Sequence, residues 1–174
     1  MATEPQAQDW YLRKILSEGE TGVDRAALDV ALALRIPCGG WCPNGRRAED
    51  GQIPARYPLS ETESPDHSDA ARLNIKSADA VLLLYVRQPG MGSRHILHMA
   101  NDRKKPIMTV DLAGGPDPQD VRDWLAALGG GITLLVAGSR ESTIPGIYGA
   151  SVDYLGKLLY GIPFHDDQYE LSRG

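Results

Sequence analysis

The run ADAVLLLYV, residues 78–86, constrains the fold more than any other stretch of this chain. It is apolar almost without interruption and lacks the alternation of a half-exposed strand, which is typical of a central strand buried on both faces. Shorter apolar runs predict further strands, at residues 12–16, 37–41, 106–111 and 132–137. Amphipathic stretches between them predict helices, at residues 23–33, 66–76, 93–103, 117–128 and 145–159. This order predicts an α/β fold with a parallel sheet covered by helices.

Composition bounds the size and the partners of the protein. With 174 residues, of which 42% are hydrophobic, we expect one domain over residues 1–174, with a core at 11–160 and tails at 1–10 and 162–174. A formal net charge of -5 argues against a nucleic-acid binder, which needs Lys and Arg to neutralise phosphates. No apolar run approaches the roughly 20 residues that span a bilayer, and residues 1–10 do not resemble a secretory leader. We therefore expect a soluble, cytoplasmic protein without a membrane partner.

Two regions point to surfaces with a role. The segment at residues 42–65 is rich in Pro, Gly and charge and shows no helical or strand period, so we expect a functional loop that closes over a ligand. The last predicted helix, IYGASVDYLGKLLYG, is apolar enough to form a contact between copies of the chain. This apolar helix therefore favours a homo-oligomer.

Three glycine-containing loops follow proposed strands: SEGETGVD at 17–24, RQPGMGSRH at 87–95 and VAGSRES at 136–142. In an open parallel sheet all three would lie at the carboxyl edge, where ligands bind, and each opens toward a helix whose amino end favours an anion. We interpret them as the site of a small phosphorylated or otherwise anionic ligand. The alternative is that they are ordinary strand-to-helix turns, which also need Gly. The candidate ligand-binding residues are Gly19, Thr21, Gly22, Asp24, Gly90, Gly92, Ser93, Gly138, Ser139, Glu141 and Ser142.

Four arginines are the candidate counter-charges for such a ligand, because a guanidinium can grip phosphate with two hydrogen bonds. They are Arg46, Arg47, Arg94 and Arg140. The alternative is pairing within the chain, of Arg140 with Glu141 or Asp24 and of the two loop arginines with Glu49 and Asp50.

The remaining candidate site residues are one aromatic residue and four possible metal ligands, which are two cysteines and two histidines. Trp41 is either a core edge residue or a platform on which a base or pterin ring stacks. Metal binding is not expected, because the spacings of the cysteines and histidines match no strong zinc pattern. These residues are Cys38, Cys42, His95 and His98, and we expect both thiols to be reduced.

The blocks TGVDRAALD and GGWCPNGRRAEDG, then NIKSADAVLLL, KKPIMTVDL and VAGSRESTIPGIYGASVDYL, resemble the molybdenum carrier family, also described as circularly permuted YpsA-like proteins. The resemblance runs from about residue 12 to 159. It implies a Rossmann-like fold of three layers, with a mostly parallel central sheet flanked by helices, in the superfamily that also contains LOG-type phosphoribohydrolases, often called lysine-decarboxylase-like. It further implies a binding or carrier protein for a phosphorylated ligand of nucleotide type or of pterin type, like the molybdenum cofactor. The cofactor is open between the molybdenum cofactor, a nucleotide and Mg²⁺.

The first loop departs from the family pattern, which resembles SGGQTGVD: Glu18 stands for a Gly and Glu20 for a Gln. A carboxylate about 5 Å from a phosphate would oppose binding by about 3 kcal/mol at an effective dielectric near 20. We therefore expect that anion binding has moved toward the second and third loops. Glu20 has a second interpretation, as an acid that stabilises the positive end of the following helix.

The second loop departs from the phosphoribohydrolase signature PGGxGTxxE, because Ile96 stands where that signature has its active-site Glu. An apolar side chain is neither an acid nor a base, so we expect binding rather than hydrolysis. Two alternatives stay open. One is a nucleotide-processing hydrolase with Asp24, Glu49 or Asp50 as acid or base, and the other is a structural or assembly protein with a degenerate site.

Overall fold

The structure, a computed structural model, describes residues 9–165, and at its centre lies a five-stranded parallel sheet. The strands are β1 (Trp10–Leu16), β2 (Cys38–Gly39), β3 (Trp41–Cys42), β4 (Arg47–Ala48), β5 (Gly51–Gln52), β6 (Ser60–Glu61), β7 (Ala80–Tyr85), β8 (Ile107–Asp111) and β9 (Gly130–Gly138). The helices are α1 (Val23–Ala33), α2 (His67–Ser77), α3 (Met91–Asp102), α4 (Pro118–Leu128) and α5 (Ile147–Leu159), with one 3₁₀ turn at Leu112–Gly114. The central sheet has the order β2-β1-β9-β7-β8, and all its neighbours are parallel.

Strand β7 is buried on both faces, which confirms the interpretation of its apolar run. Leu82 and Leu84 pack into the core that α1, α4 and α5 cover, whereas Val81 packs with Ile75 of α2 and Ala100 of α3. The two sets alternate along the strand, because successive side chains of a strand point to opposite faces. The predicted α/β fold of three layers is therefore confirmed.

The predicted helices are all present, with ends that shift by up to two residues. The single strand predicted at residues 37–41 is instead divided into β2 and β3. Gly40 causes the break: its φ is 133°, and a Cβ there would collide with the Ser17 carbonyl oxygen. The chain leaves the main sheet at this point, and β3 pairs with β6 instead.

The segment at residues 42–65 is irregular over most of its length, as predicted, but it is tied to itself. Its β4 and β5 form a small antiparallel pair, and the Arg46 guanidinium donates to four backbone carbonyls at 2.8 to 3.1 Å. These acceptors belong to Ile53, Pro54, Tyr57 and Leu59. Arg46 therefore holds the loop together from within.

Much of the apolar surface of the last helix, for which a contact between copies was predicted, packs inside the protein, while Tyr148 and Tyr160 are exposed. Ile147, Tyr154, Leu155 and Leu158 of α5 are buried, and α5 packs against α1 and α4. A homo-oligomer stays a prediction. Of the predicted tail, residues 163–165 lie along β1, where Leu12 N–H donates to the Pro163 carbonyl at 2.7 Å, and residues 166–174 lie outside the described residues. No helix within residues 9–165 is long and apolar enough to cross a membrane.

Candidate ligand-binding clefts at the carboxyl edge of the sheet

The three glycine loops meet at one edge of the sheet, as predicted, because they follow the adjacent parallel strands β1, β9 and β7. Together with the first turns of α2 they line a cleft of about 560 Å³. We call it the edge cleft, and its lining comes from within residues 18–24, 67–71, 90–96 and 138–143.

A second cleft, of about 720 Å³, lies on the other side of the first and third loops. We call it the tyrosine cleft, and its lining comes from within residues 21–29, 49–57 and 141–148, including Tyr57 and Tyr148. The hydroxyls of both tyrosines donate to Asp29, at 2.7 and 2.6 Å. Burial and the hydrogen bond to Asp29 raise the pKa of Tyr57 to about 12. Sequence analysis did not anticipate this cleft.

The wall between the two clefts consists of the first and third loops in close contact. At Gly22, with a φ of 81°, a Cβ would collide with the Ser139 carbonyl oxygen, so the approach requires glycine. The Glu49 carboxylate bridges the loops, since it accepts hydrogen bonds from the Thr21 hydroxyl, from Ser142 N–H at 3.1 Å and from the Ser142 hydroxyl at 2.5 Å. These hydrogen bonds, from Ser142 first and then Thr21, lower the pKa of Glu49.

Glu20 lies three residues before the start of α1, and its carboxylate is held by the backbone of two loops. Its side chain is 7% exposed, and its Oε1 accepts from the backbone N–H groups of Thr21 and Glu49, both at 2.9 Å. Oε2 lines the cleft without a hydrogen-bond partner among the described residues. Its nearest cationic atoms are Arg140 Nη2 at 3.7 Å and His67 Nε2 at 4.0 Å. The backbone therefore holds the carboxylate just before α1, and its buried Oε2 has no hydrogen bond within the described residues.

Glu18 pairs with His67, the first residue of α2, and their Oε1 and Nδ1 atoms lie 2.5 Å apart. The hydrogen bond to Glu18 raises the pKa of His67 and favours the imidazolium. Asp24 is 7% exposed, and burial, together with the charges of Glu18 and Glu20, raises its pKa well above the ordinary value. The raised pKa of Asp24 disfavours its charged form, and two further carboxylates of the cleft, Glu18 and Glu20, lie opposite His67 and Arg140.

The amino end of α3 opens into the cleft, and it differs from that of α1, where Val23 N–H and Arg25 N–H donate to the carbonyls of Ser139 and Glu20 at 3.2 and 3.0 Å. Helix α3 begins after Gly90, and no side chain within residues 9–165 caps it. The N–H groups of a first helical turn have no acceptor within the helix. Added Cβ atoms at Gly90 and Gly92 would meet open space, and the buried Ser93 lines the cleft. This end is available to an anion.

The predicted ligand-binding residues fall into three groups. The edge cleft is lined by Asp24, Gly90, Gly92, Ser93, Gly138, Ser139 and Arg140. The tyrosine cleft is lined by Thr21, Gly22, Glu141 and Ser142. Five predicted residues line neither of the two: Gly19, Trp41, Arg46, Arg47 and Arg94.

The contacts of these residues explain the division. Trp41 N–H donates to Asn74 at 2.8 Å, and Arg94 Nε donates to the Pro89 carbonyl at 3.1 Å. The ion pairs proposed as alternatives are also corrected. Asp50 pairs with Arg25 at 3.0 Å and not with a loop arginine, and the carboxylate near Arg140 is Glu20.

No group of three or more His, Cys, Asp or Glu side chains within the described chain is placed to hold a metal ion. Both cysteines are free, and burial raises the pKa of Cys38 and of Cys42. Neither lines the edge cleft.

His67 is the site residue that sequence reasoning missed. A signal was available, because a helix that connects parallel strands runs against them and so begins at their carboxyl edge. His67 is the first residue of the helix before the central strand β7, so this rule places it beside the three loops.

The comparisons with known proteins agree with the fold. A model of the circularly permutated YpsA SLOG family matches residues 15–159. A solved structure of a protein from Syntrophus aciditrophicus SB, described as a "putative molybdenum carrier protein", is 36% identical. It has a TM-score of 0.77, and the match covers 85% of this chain and 95% of that one. No curated protein matches the chain.

Proposed function

Because the chain belongs to the circularly permutated YpsA SLOG family, we propose that it is a binding or carrier protein for a small phosphorylated ligand of nucleotide or pterin type, held in the edge cleft. The observation that carries the proposal is the contrast between two helix ends in one cleft. At the end of α1, Val23 N–H and Arg25 N–H donate to backbone carbonyls and the Glu20 carboxylate lies nearby, whereas the end of α3 has no side-chain cap among the described residues. The phosphate would bind at α3.

Two further features support binding of an anion at α3, and a third observation supports a carrier role. Gly90 and Gly92 leave the helix end bare, so that a phosphate can approach the backbone. Two cations, His67 and Arg140, offset the carboxylates of the cleft. The neighbour's description as a molybdenum carrier also favours a carried ligand rather than a substrate. Ile96 lines the cleft and supplies no acid or base there.

The test places a negative charge at the proposed phosphate position. In Gly92→Asp the new side chain enters open space, and an acid in a first turn favours the helix, so the variant folds. At about 5 Å from a phosphate and an effective dielectric near 20, it costs about 3 kcal/mol, or about a hundredfold in affinity. Calorimetry with GMP and AMP, each against its nucleoside, measures the contribution of the phosphate.

Gly149→Asp is the matched control. Gly149 lies in the first turn of α5, also with open space around it, and lines neither cleft. The proposal predicts that nucleotides bind more tightly than nucleosides, that Gly92→Asp removes the difference and that Gly149→Asp keeps it. Equal affinity for nucleotide and nucleoside in the wild type would contradict it. Native mass spectrometry of freshly purified protein tests the carrier role, since a carrier retains its ligand.

A further inference from the structure

The free oxygen of Glu20 requires a hydrogen-bond donor from outside the described chain. A buried carboxylate oxygen without a partner is rare in native proteins, and it indicates an unfilled contact. Oε1 already accepts two backbone N–H groups, at 2.9 Å each, so the carboxylate is held in one orientation. Oε2 is buried, belongs to a residue that lines the edge cleft and has no hydrogen-bond donor within the described residues, so its acceptor capacity is unfilled there.

The cation beside Glu20 is close but does not use this oxygen. Arg140 Nη2 is 3.7 Å from Oε2, too far for a hydrogen bond, and its side chain is about half exposed. Glu20 thus places an unpaired acceptor next to a guanidinium donor. A ring with N–H donors beside a carbonyl oxygen complements both groups.

We propose that the edge cleft recognises a 2-amino-4-oxopyrimidine ring, the edge that guanine and pterins share, with Glu20 Oε2 accepting from the ring N–H and the amino group and Arg140 donating to the carbonyl oxygen. This rests on the proposed function, because it identifies the ring of the ligand whose phosphate binds at α3. Pairing of Arg with the guanine carbonyl oxygen, and of a carboxylate with adjacent N–H donors, follows from their geometry.

Other occupants fit the same atoms less well. The Watson–Crick edge of adenine carries one amino donor beside a ring nitrogen acceptor, and that lone pair would face the carboxylate or leave one position of Oε2 empty. A metal ion has no set of three or more acidic, His or Cys ligands within residues 9–165. The cleft, at about 560 Å³, has the size of small-molecule sites.

The experiment varies the amino group of the ring. Calorimetry compares GMP with IMP, which lacks only the amino group, and with AMP, so that the phosphate is kept. A second arm, without phosphate, compares neopterin with the lumazine that has the same side chain and an oxygen in place of the amino group. The proposal predicts that GMP binds about tenfold or more tightly than IMP and AMP, or that neopterin exceeds lumazine by as much. The arm with the tighter ligand identifies the source of the ring.

The variant Glu20→Gln tests whether Glu20 causes the preference for the amino-bearing ligand. The amide oxygen can keep the contacts of Oε1, but an NH₂ group replaces the free acceptor, so the preference for the amino-bearing ligand should disappear. Glu63→Gln, at an exposed acidic residue outside both clefts, should retain it. The comparison of GMP with IMP uses wild-type protein and stands even if Glu20→Gln does not fold.

The outcomes separate this inference from the proposed function. If GMP, IMP and AMP bind equally well and more tightly than their nucleosides, and neopterin does not exceed lumazine, the ring assignment is wrong and phosphate binding stands. The ring assignment is also wrong if the preference survives in Glu20→Gln. If neither the nucleotides nor the pterins bind, both proposals are wrong.

Discussion

The edge cleft and the tyrosine cleft share one wall but differ in how their charged groups are used. In the tyrosine cleft, Asp29 accepts from two tyrosines and Asp50 pairs with Arg25 at 3.0 and 3.1 Å. In the edge cleft, Glu20 Oε2 has no hydrogen-bond partner within the described residues. The tyrosine cleft is the larger, at about 720 Å³ against 560 Å³. A choice of the ligand site by volume alone would therefore favour the tyrosine cleft, although the polar groups there are already paired with one another.

The two clefts therefore differ in kind: polar groups that pair with one another stabilise the fold, and unpaired groups are left to bind a ligand. Polar groups that satisfy one another contribute to stability, whereas a buried charge without a partner costs stability and is retained where function needs it. Replacing a paired group in the loop that carries Tyr57 should therefore lower the free energy of unfolding, whereas replacing the buried Asp24 of the edge cleft should raise it.

The largest expected effect is the loss of stability in Arg46→Ala, in the loop that carries Tyr57 into the wall of the tyrosine cleft. The substitution removes the donor from four backbone carbonyls, and we expect the free energy of unfolding to fall by about 3 kcal/mol. Urea unfolding measures it. Arg47→Ala is the matched control, since Arg47 is exposed, and it should change stability by about 0.5 kcal/mol or less. Equal effects of the two variants would contradict the role given to Arg46.

Asp24→Asn should act in the opposite direction, because burial and the charges of Glu18 and Glu20 raise the pKa of Asp24. A raised pKa in the native state means that the native protein binds more protons than the unfolded chain above a pH of about 4, so wild-type stability falls as the pH rises. The loss is about 1.4 kcal/mol for each pH unit up to the native pKa and then levels off. Asn does not titrate, so the variant should gain over the wild type across this interval.

Urea unfolding of Asp24→Asn at several pH values between 4 and 8 measures the gain. Asp153→Asn, at an exposed position of α5, should track the wild type at every pH. A constant difference between Asp24→Asn and the wild type would show that Asp24 is charged in the native protein.

The smallest expected effect concerns the Glu18–His67 pair. Glu18→Gln should lower the pKa of His67, which the hydrogen bond to Glu18 raises in the wild type. The stabilisation of the native protein by this pair is fully present below the pKa of His67 in the unfolded chain, about 6.5. It is lost as the pH rises through the pKa of His67 in the native protein. Because His67 is 40% exposed, we expect less than about 1 kcal/mol.

Nuclear magnetic resonance titration of the His67 ring protons measures this shift. His98, which lies near Asp102 on α3, serves as the internal reference. An unchanged His67 curve in Glu18→Gln would mean that the pair does not set its pKa.

The fold was largely predictable because its signals are local. An uninterrupted apolar run indicates a strand buried on both faces, and β7 is one; helical spacing at 23–33 gave α1 with the correct ends. The break at Gly40 was not predictable from this pattern, because it depends on the Ser17 carbonyl, far along the chain.

The site was predictable only in part, because side-chain partners are set by tertiary contacts. Glycine after a strand marked the loops, but nothing in the sequence shows that Arg46 binds carbonyls while Arg140 faces a cleft. The same limit explains the tyrosine cleft, where residues about 28 and 119 positions from Asp29 converge on one carboxylate.

Glu20 also has a consequence for how the loop can change over generations. Its Oε1 holds two backbone N–H groups of the wall, so a replacement must keep an oxygen at that place and that length. Gln alone among the other common side chains does so, and it is the residue that the family pattern SGGQTGVD has at this position. The exchange alters charge and keeps shape. A lineage can therefore alter the specificity of this cleft through one residue without rebuilding the loop.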